Sequence, residues 1–313
     1  MNKTFSPKFF TLIKTGLNKK QITSDIMAGI VVGIVALPLA IAFAVASGVS
    51  PEKGLITAVV AGFIIAMLGG SRVQIGGPTG AFIVIVFGIL QQYGINGLMI
   101  STIFAGILLI IFGLLKLGTL LKYIPQPLIV GFTSGIALVI FSTQIKDALG
   151  LNVEHVPSDF IEKWSVFFSN MHSTNFYALG ITVVTILLSV YSRKIVSKVP
   201  GSFIAIIVMT VLVQLLDLPV TTIETFFGDI PNKISFALPS FQVDGLSQYI
   251  EPAITIALLG GIESLLSAVV ADGMIGGKHR SNTELIAQGV ANVFTPFFGG
   301  IPARAPLPEP LPT

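Results

Sequence analysis

The chain has 313 residues, is 53% hydrophobic and only 11% charged, and carries a mean hydropathy of +0.89 and a net charge of +3. Soluble domains carry roughly 25% charged residues, so this composition excludes a cytosolic enzyme, a secreted disulfide scaffold and a disordered regulator, and marks an integral membrane protein. Cysteine is absent, which removes thiolate chemistry and Cys-ligated zinc, and His155, His172 and His279 all fall in polar connections, where no buried histidine metal site is expected.

A membrane helix needs about 20 predominantly apolar residues. In chain order the expected spans are 25–46, 54–69, a short piece at 79–90, 97–116, 127–143, 176–192, 201–216, 249–271 and 283–298. Alternating strands at barrel spacing are not found, so the fold class is an all-α polytopic membrane protein. With a cytoplasmic N-terminus and nine crossings, thirteen of the eighteen Lys and Arg residues fall inside, as the positive-inside rule asks. The outside then keeps Lys53, Lys146, Lys163, Lys233 and Arg304, along with the long polar connections 144–175 and 217–248. If 79–90 did not cross, every later loop would invert, so the short piece is expected to span.

Region 70–90 is the most informative. Its glycines and Pro78 cannot form regular helix, and irregular backbone at membrane depth survives only inside protein or beside a water-filled cavity. Pro78 suits a first helical turn, and Thr79, Gly80 and Ala81 would then present free N–H groups at a buried, anion-attracting helix N-terminus. Interrupted helices aimed this way recur in transporters. The plainer alternative is a kinked helix with a packing turn.

Glu263 lies mid-span in 249–271, where a carboxylate costs about 2.5–3.5 kcal/mol and normally faces a cavity. Ser267 is four residues on, on the same face. The pair could coordinate a coupling Na⁺, or Glu263 could carry a proton; a structural hydrogen bond is the plainer alternative. Asp25, after Thr23-Ser24, reads as a helix cap. Gly29 and Gly33 form a small-residue face for close helix approach. The paired glycines around 69–77 lack the G-x-x-x-x-G-K-[ST] context of a nucleotide loop. With a single mid-span acid and no nucleophile–His–acid set in the membrane, an enzyme is not expected.

Spans 249–271 and 283–298 followed by Gly299-Gly300-Ile301-Pro302-Ala303 repeat, in inverted orientation, the order of the first spans and Gly69-Gly70. Inverted repeats with paired broken helices mark a midplane binding site. The stretch 304–313, with four prolines in its last eight residues, cannot be a membrane helix and reads as a foreign tail from a truncation or frameshift.

Several segments in register resemble one family: Asp25–Gly33, Leu37–Ala44, Gly76-Gly77-Pro78-Thr79-Gly80-Ala81, Pro125-Gln126-Pro127 with Gly131-Phe132, and Asn282-Thr283-Glu284-Leu285 with Gln288-Gly289. They look like the sulfate permease (SulP) family of anion transporters, bacterial type, over about residues 15–303. The resemblance implies a seven-plus-seven inverted-repeat transporter fold with core and gate domains. Only the first repeat and the start of the second are present. The segments are then a cytoplasmic stretch 1–24, a first repeat 25–216 broken at 70–79, an extracytoplasmic connection 217–248, the start of the second repeat at 249–303, and the tail 304–313. It places Thr79, Gly80 and Ala81 at the anion, lined by Pro38 and Phe43, and matches Glu263 and Ser267 to the positions that hold Na⁺ in sodium-coupled bicarbonate members. Many relatives carry Gln where Leu39 stands here. The family continues into a tenth segment, four further segments and a STAS domain, so this chain is expected not to transport alone.

The expected function is a secondary transporter of sulfate or bicarbonate, a symport driven by Na⁺ or H⁺, working by alternating access in a bacterial inner membrane. The expected partners are an inorganic anion, the bilayer and, at full length, a second copy. No cofactor beyond the coupling ion is expected, and no nucleic acid. The alternatives are a uracil or xanthine-type permease, an anion channel, and a non-transporting anion sensor.

Overall fold

The computed structural model describes residues 5–16, 18–119, 126–153, 156–157, 159–194, 201–228, 236, 238 and 245–305. Pro125, residues 229–235, 237 and 239–244 of the 217–248 connection, and the Pro-rich stretch 306–313 therefore lie outside the described residues. Among the described residues eleven α-helices follow in order: α1 (Lys8–Thr15), α2 (Lys19–Ala46), α3 (Pro51–Leu68), α4 (Ile83–Leu114), α5 (Gln126–Leu149), α6 (Phe160–Ser169), α7 (Phe176–Tyr191), α8 (Gly201–Leu215), α9 (Ile223–Phe227), α10 (Ile250–Ile275) and α11 (Ser281–Phe294). Among the described residues the only β-type pairing is an isolated antiparallel bridge between Gly77 and Arg304.

All of the expected spans correspond to helices, with shifted ends. The pieces 79–90 and 97–116 form one element, α4, broken where Gly94 takes φ 66° and ψ −174°. That left-handed φ is open to glycine at little cost, so the two pieces meet at a sharp break. Asp25 is not a cap. Asn18, in extended backbone, accepts the Lys20 N–H at 3.2 Å and starts α2 about two turns earlier, leaving Asp25 inside the helix. Pro78 does not occupy the first turn either: Thr79, at φ −141° and ψ 153°, is the cap, and a 3₁₀ turn Gly80–Phe82 leads into α4. Three helices that the hydropathy pattern does not announce, α1, α6 and α9, lie in the polar segments.

The chain divides into two compact units. The first comprises residues 1–133 and 231–309, the second residues 134–230 and 310–313. In the first, α4 packs most extensively on α11 and α10, and α3 lies between α2 and α11. Small residues make this possible. A Cβ on Gly106 of α4 would fall 2.6 Å from the Gly289 carbonyl oxygen of α11, and one on Gly289 would fall 2.6 Å from the Gly106 carbonyl oxygen. The two backbones touch, and a side chain on either residue would force them apart. Gly29 and Gly33, by contrast, have open space where a Cβ would be, so the small-residue face expected there packs against nothing among the described residues. In the second unit α7 packs on α8. A small apolar cluster of Leu151, Val153 and Phe167 joins the end of α5 to α6, and Trp164 donates to Ser142 Oγ at 3.0 Å.

Candidate functional site

The site is assembled in the first unit from two irregular segments that cross. One is 69–79, between α3 and α4; the other is 300–305, after α11. Backbone polar groups in such segments need partners, and the structure supplies them from neighbouring helices. Gly70 N–H and Ser71 N–H donate to Glu284 Oε2 of α11 at 2.8 and 3.2 Å, while Gln288 Nε2 donates to Glu284 Oε1 at 3.0 Å. Arg280 N–H donates to the Gly70 carbonyl at 3.0 Å, and a Cβ at Gly70 would lie 2.2 Å from the Arg280 oxygen. Further along, Gln74 Nε2 donates to the Ser264 carbonyl of α10 at 2.8 Å.

The second segment is pinned as tightly. Thr57 Oγ1 accepts the Ile301 N–H at 2.8 Å. Asn292 holds both sides of Ala303, accepting its N–H at 2.9 Å and donating to its carbonyl at 2.8 Å. Arg304 and Gly77 exchange both backbone hydrogen bonds, at 3.0 and 3.1 Å. Arg304 is thus not part of a loose tail: its backbone forms the crossing point of the two segments and its side chain is largely buried.

The crossing places Arg304 between two of the expected site residues. Its Nε donates to Thr79 Oγ1 at 3.0 Å and lies 2.7 Å from Glu263 Oε2. The single Nε proton points to the threonine, so Glu263 Oε2 gains an ion pair but no aligned hydrogen bond. Thr79, Gly80, Ala81 and Glu263 are all buried. The first helical bond after the crossing is the Phe82 N–H to the Thr79 carbonyl, at 3.1 Å. The Gly80 and Ala81 N–H groups precede it and belong to the donors that a helix start leaves without intrahelical partners. The Arg304 guanidinium therefore links the residue that starts this helix, Thr79, to one buried carboxylate, Glu263.

Ser267 and its neighbour Ser264 are buried on α10, and neither hydroxyl finds a hydrogen-bond partner. Oxygens without partners suit a hard cation such as Na⁺, so the donor set of Glu263 and Ser267 fits one chemically; the charge beside Glu263 here, however, is the guanidinium. Among the described residues no cluster of three His, Asp or Glu side chains could hold a metal. Pro38 and Phe43 are half-buried on α2, which packs chiefly on α3 rather than on the start of α4. The Phe43 carbonyl accepts the Ser47 hydroxyl at 2.7 Å.

Sequence reasoning missed two groups. Arg304 was hidden among prolines. Glu284, at the edge of its span, is fully buried, so Glu263 is not the only buried acid. The signal was present: Glu284, Gln288 and Asn292 recur every four residues, a polar stripe on one face of α11.

A family model for the sulfate permease family matches residues 22–308. The chain belongs to that family. It is 46% identical over 295 residues to the putative sulfate transporter YvdB of Bacillus subtilis, covering 93% of this chain and 56% of that protein. It is 31% identical over 304 residues to the bicarbonate transporter BicA of Picosynechococcus, covering 92% of this chain and 53% of that one. This family member thus spans about half the length of the curated relatives it matches. Its fold is that of the transmembrane domain of a cyanobacterial BicA, with TM-score 0.81 at 28% identity over 93% of this chain and 76% of that one. This is the inverted-repeat transporter architecture expected from the repeated order of spans and from the family resemblance.

Proposed function

We propose that this chain carries the anion-binding half of a secondary active transporter for a small inorganic anion, sulfate or bicarbonate, working by alternating access. The observation that carries the reading is the convergence of the Thr79–Ala81 helix start with Arg304 and Glu263 in one buried place. Backbone N–H groups at a helix start bind anions without regard to their detailed shape, and Thr79 Oγ1 adds a hydroxyl. The relatives named as sulfate and bicarbonate transporters support the same substrate class.

Glu263 sets the coupling in this proposal. Arg304 neutralises it in the state described, so the positive charge that stands beside Thr79 is compensated by Glu263. Na⁺ binding at Glu263 and Ser267, or protonation of Glu263, takes over that role and leaves the charge of Arg304 for the anion. Coupling then follows from competition for one carboxylate. Complete transport needs more chain than the 313 residues supply, and the full-length protein works as a homodimer in the bacterial inner membrane with a cytoplasmic N-terminus.

The test is uptake of labelled sulfate and bicarbonate into proteoliposomes holding the full-length transporter, under an imposed Na⁺ or pH gradient, with this chain in parallel. Uptake that follows Na⁺ and disappears in Glu263→Gln makes Glu263 and Ser267 the cation site. Uptake driven by external acid makes Glu263 the proton carrier. Flux linear in voltage without ion coupling would make the protein a channel, binding without flux a sensor, and full-rate uptake by the 313-residue chain would refute its dependence on further segments.

A further inference from the structure

Helix α1 is inside out. Its polar side faces the protein: Thr11 Oγ1 accepts from Arg280 Nη1 at 2.9 Å, the same guanidinium donates to the Ser6 carbonyl, and the Lys8 N–H donates to the Gly69 carbonyl at 3.0 Å. The opposite side carries Phe9, Phe10 and Ile13, all exposed, with no buried residue anywhere in the helix. A short amphipathic helix bonded to the protein by its polar face leaves its apolar face for another apolar medium.

The surroundings indicate which one. α1 sits at the end of the first unit where α3 finishes and α10 turns into α11, since it bonds Gly69 and Arg280. This end gathers Lys8, Lys14, Lys19, Lys20, Arg72, Lys116, Lys278 and Arg280 against the acids Asp25, Asp272, which lies 2.6 Å from His279 Nδ1, and Glu284, which is buried. Burial first, then the charges of Arg280 and Arg72, holds the Lys8 ammonium below its ordinary value, while Asp272 acts the other way. Excess positive charge is thus crowded at the level where α1 lies. Apolar rings beside unpaired lysines at the end of a membrane-spanning bundle suit one environment, the headgroup boundary of an anionic leaflet.

We propose that α1 is an interfacial helix that seats Phe9, Phe10 and Ile13 in the acyl boundary and binds anionic phospholipid through Lys14, Lys19 and Lys20. Arg280 ties this seat to the transport site. It holds α1 by its side chain and Gly70 by its backbone N–H, one residue from Ser71, whose N–H reaches Glu284. Lipid occupancy at α1 is in this way connected to the segment that leads to Thr79.

Because the chain has no cysteine, single labels are clean. The full chain is placed in nanodiscs of phosphatidylcholine, with and without phosphatidylglycerol, with an environment-sensitive fluorophore at Phe10→Cys or, as a half-buried comparison on the same helix, at Leu12→Cys. Lipids with a shallow spin label serve as quenchers. Quenching is expected at position 10 and several-fold less at 12. Phosphatidylglycerol should strengthen it at low salt but not at high salt, each lysine contributing roughly fivefold to anionic-lipid binding. The combined Lys14→Gln, Lys19→Gln, Lys20→Gln variant should lose the phosphatidylglycerol effect and keep the position 10 contact. Equal quenching at both positions, or none at 10, overturns the interfacial seat. A phosphatidylglycerol effect that survives the triple variant overturns the lysine assignment. Phe10 is exposed, so its replacement does not threaten folding.

Discussion

The two units show how similar apolar composition can serve different ends. In the first, α4, α10 and α11 bury most of their inward positions and tolerate polar groups among them: Glu284, Gln288, Asn292, Ser264 and Ser267 are all shielded from solvent. In the second, α7 has no buried residue and α8 only three. α4 and α10, like α7 and α8, are rich in Leu, Ile and Val, so hydrophobicity does not distinguish the units. Nor does the mere presence of glycine, since a Cβ on Gly201 at the start of α8 would also run into the Ser189 oxygen of α7; what differs is that the first unit places facing glycines in mid-helix. Backbone contact between Gly106 and Gly289 brings helices close enough that side-chain oxygens from one can reach orphan N–H groups of another, the condition for holding irregular backbone at membrane depth.

The largest expected effect comes at the crossing. Arg304→Ala leaves the Glu263 carboxylate buried without a counter-charge and should cost about 3–5 kcal/mol, read as a lowered thermal midpoint in detergent. Adding Glu263→Gln should return much of it. An additive pair would mean that the ion pair does not hold the segments together.

Next is the glycine contact. Gly289→Ala forces a methyl group against the Gly106 oxygen and should cost about 1–3 kcal/mol. Gly180→Ala in α7, where the new Cβ meets nothing within 4 Å, should instead stabilise by about 0.5–1 kcal/mol. Equal effects would erase the contrast between the units.

Glu284→Gln is milder than its burial suggests. One amide oxygen can still accept from Gly70 and Ser71, and Gln288, whose Oε1 lacks a partner, can turn to accept the new NH₂. The loss of charge-assisted bonds should cost about 1 kcal/mol, whereas Glu284→Leu should expose residues 69–79 to proteolysis.

The smallest effect belongs to the second unit. Burial holds the Lys163 ammonium below its ordinary value, Asp159 partly offsetting it. The unfolded chain therefore binds more protons than the folded one between the lowered value and 10.5, and stability should rise with pH across that window. Lys163→Met should flatten the rise, as measured by denaturation at stepped alkaline pH.

The contrast between units also explains what could be read from the chain alone. Spans appear as apolar runs because insertion needs only length and composition. The helix start at Thr79–Ala81 was legible because glycine and proline act locally, and Glu263 because a mid-span acid is costly wherever it sits. Arg304 was not, since its role arises from pairing with Gly77 and Glu263 across long stretches of chain. Asp25 was misread as a cap because the mostly polar stretch Lys19–Asp25 hides where a helix begins, and only the extended backbone and capping side chain of Asn18 settle it. Gly29 and Gly33 show that a small-residue spacing indicates capacity for close approach, not a partner.

The most direct test of the account's central claim, that the Thr79–Ala81 helix start is the anion site, is equilibrium binding of labelled sulfate and bicarbonate to this chain in nanodiscs, unmodified and as Gly80→Pro. Thr79 already has the extended backbone that a following proline demands, and proline is at home in the first helical position. The substitution thus removes one N–H while sparing the helix. The account predicts at least a tenfold weaker anion affinity with an unchanged thermal midpoint; unchanged affinity in a folded Gly80→Pro protein would place the anion elsewhere.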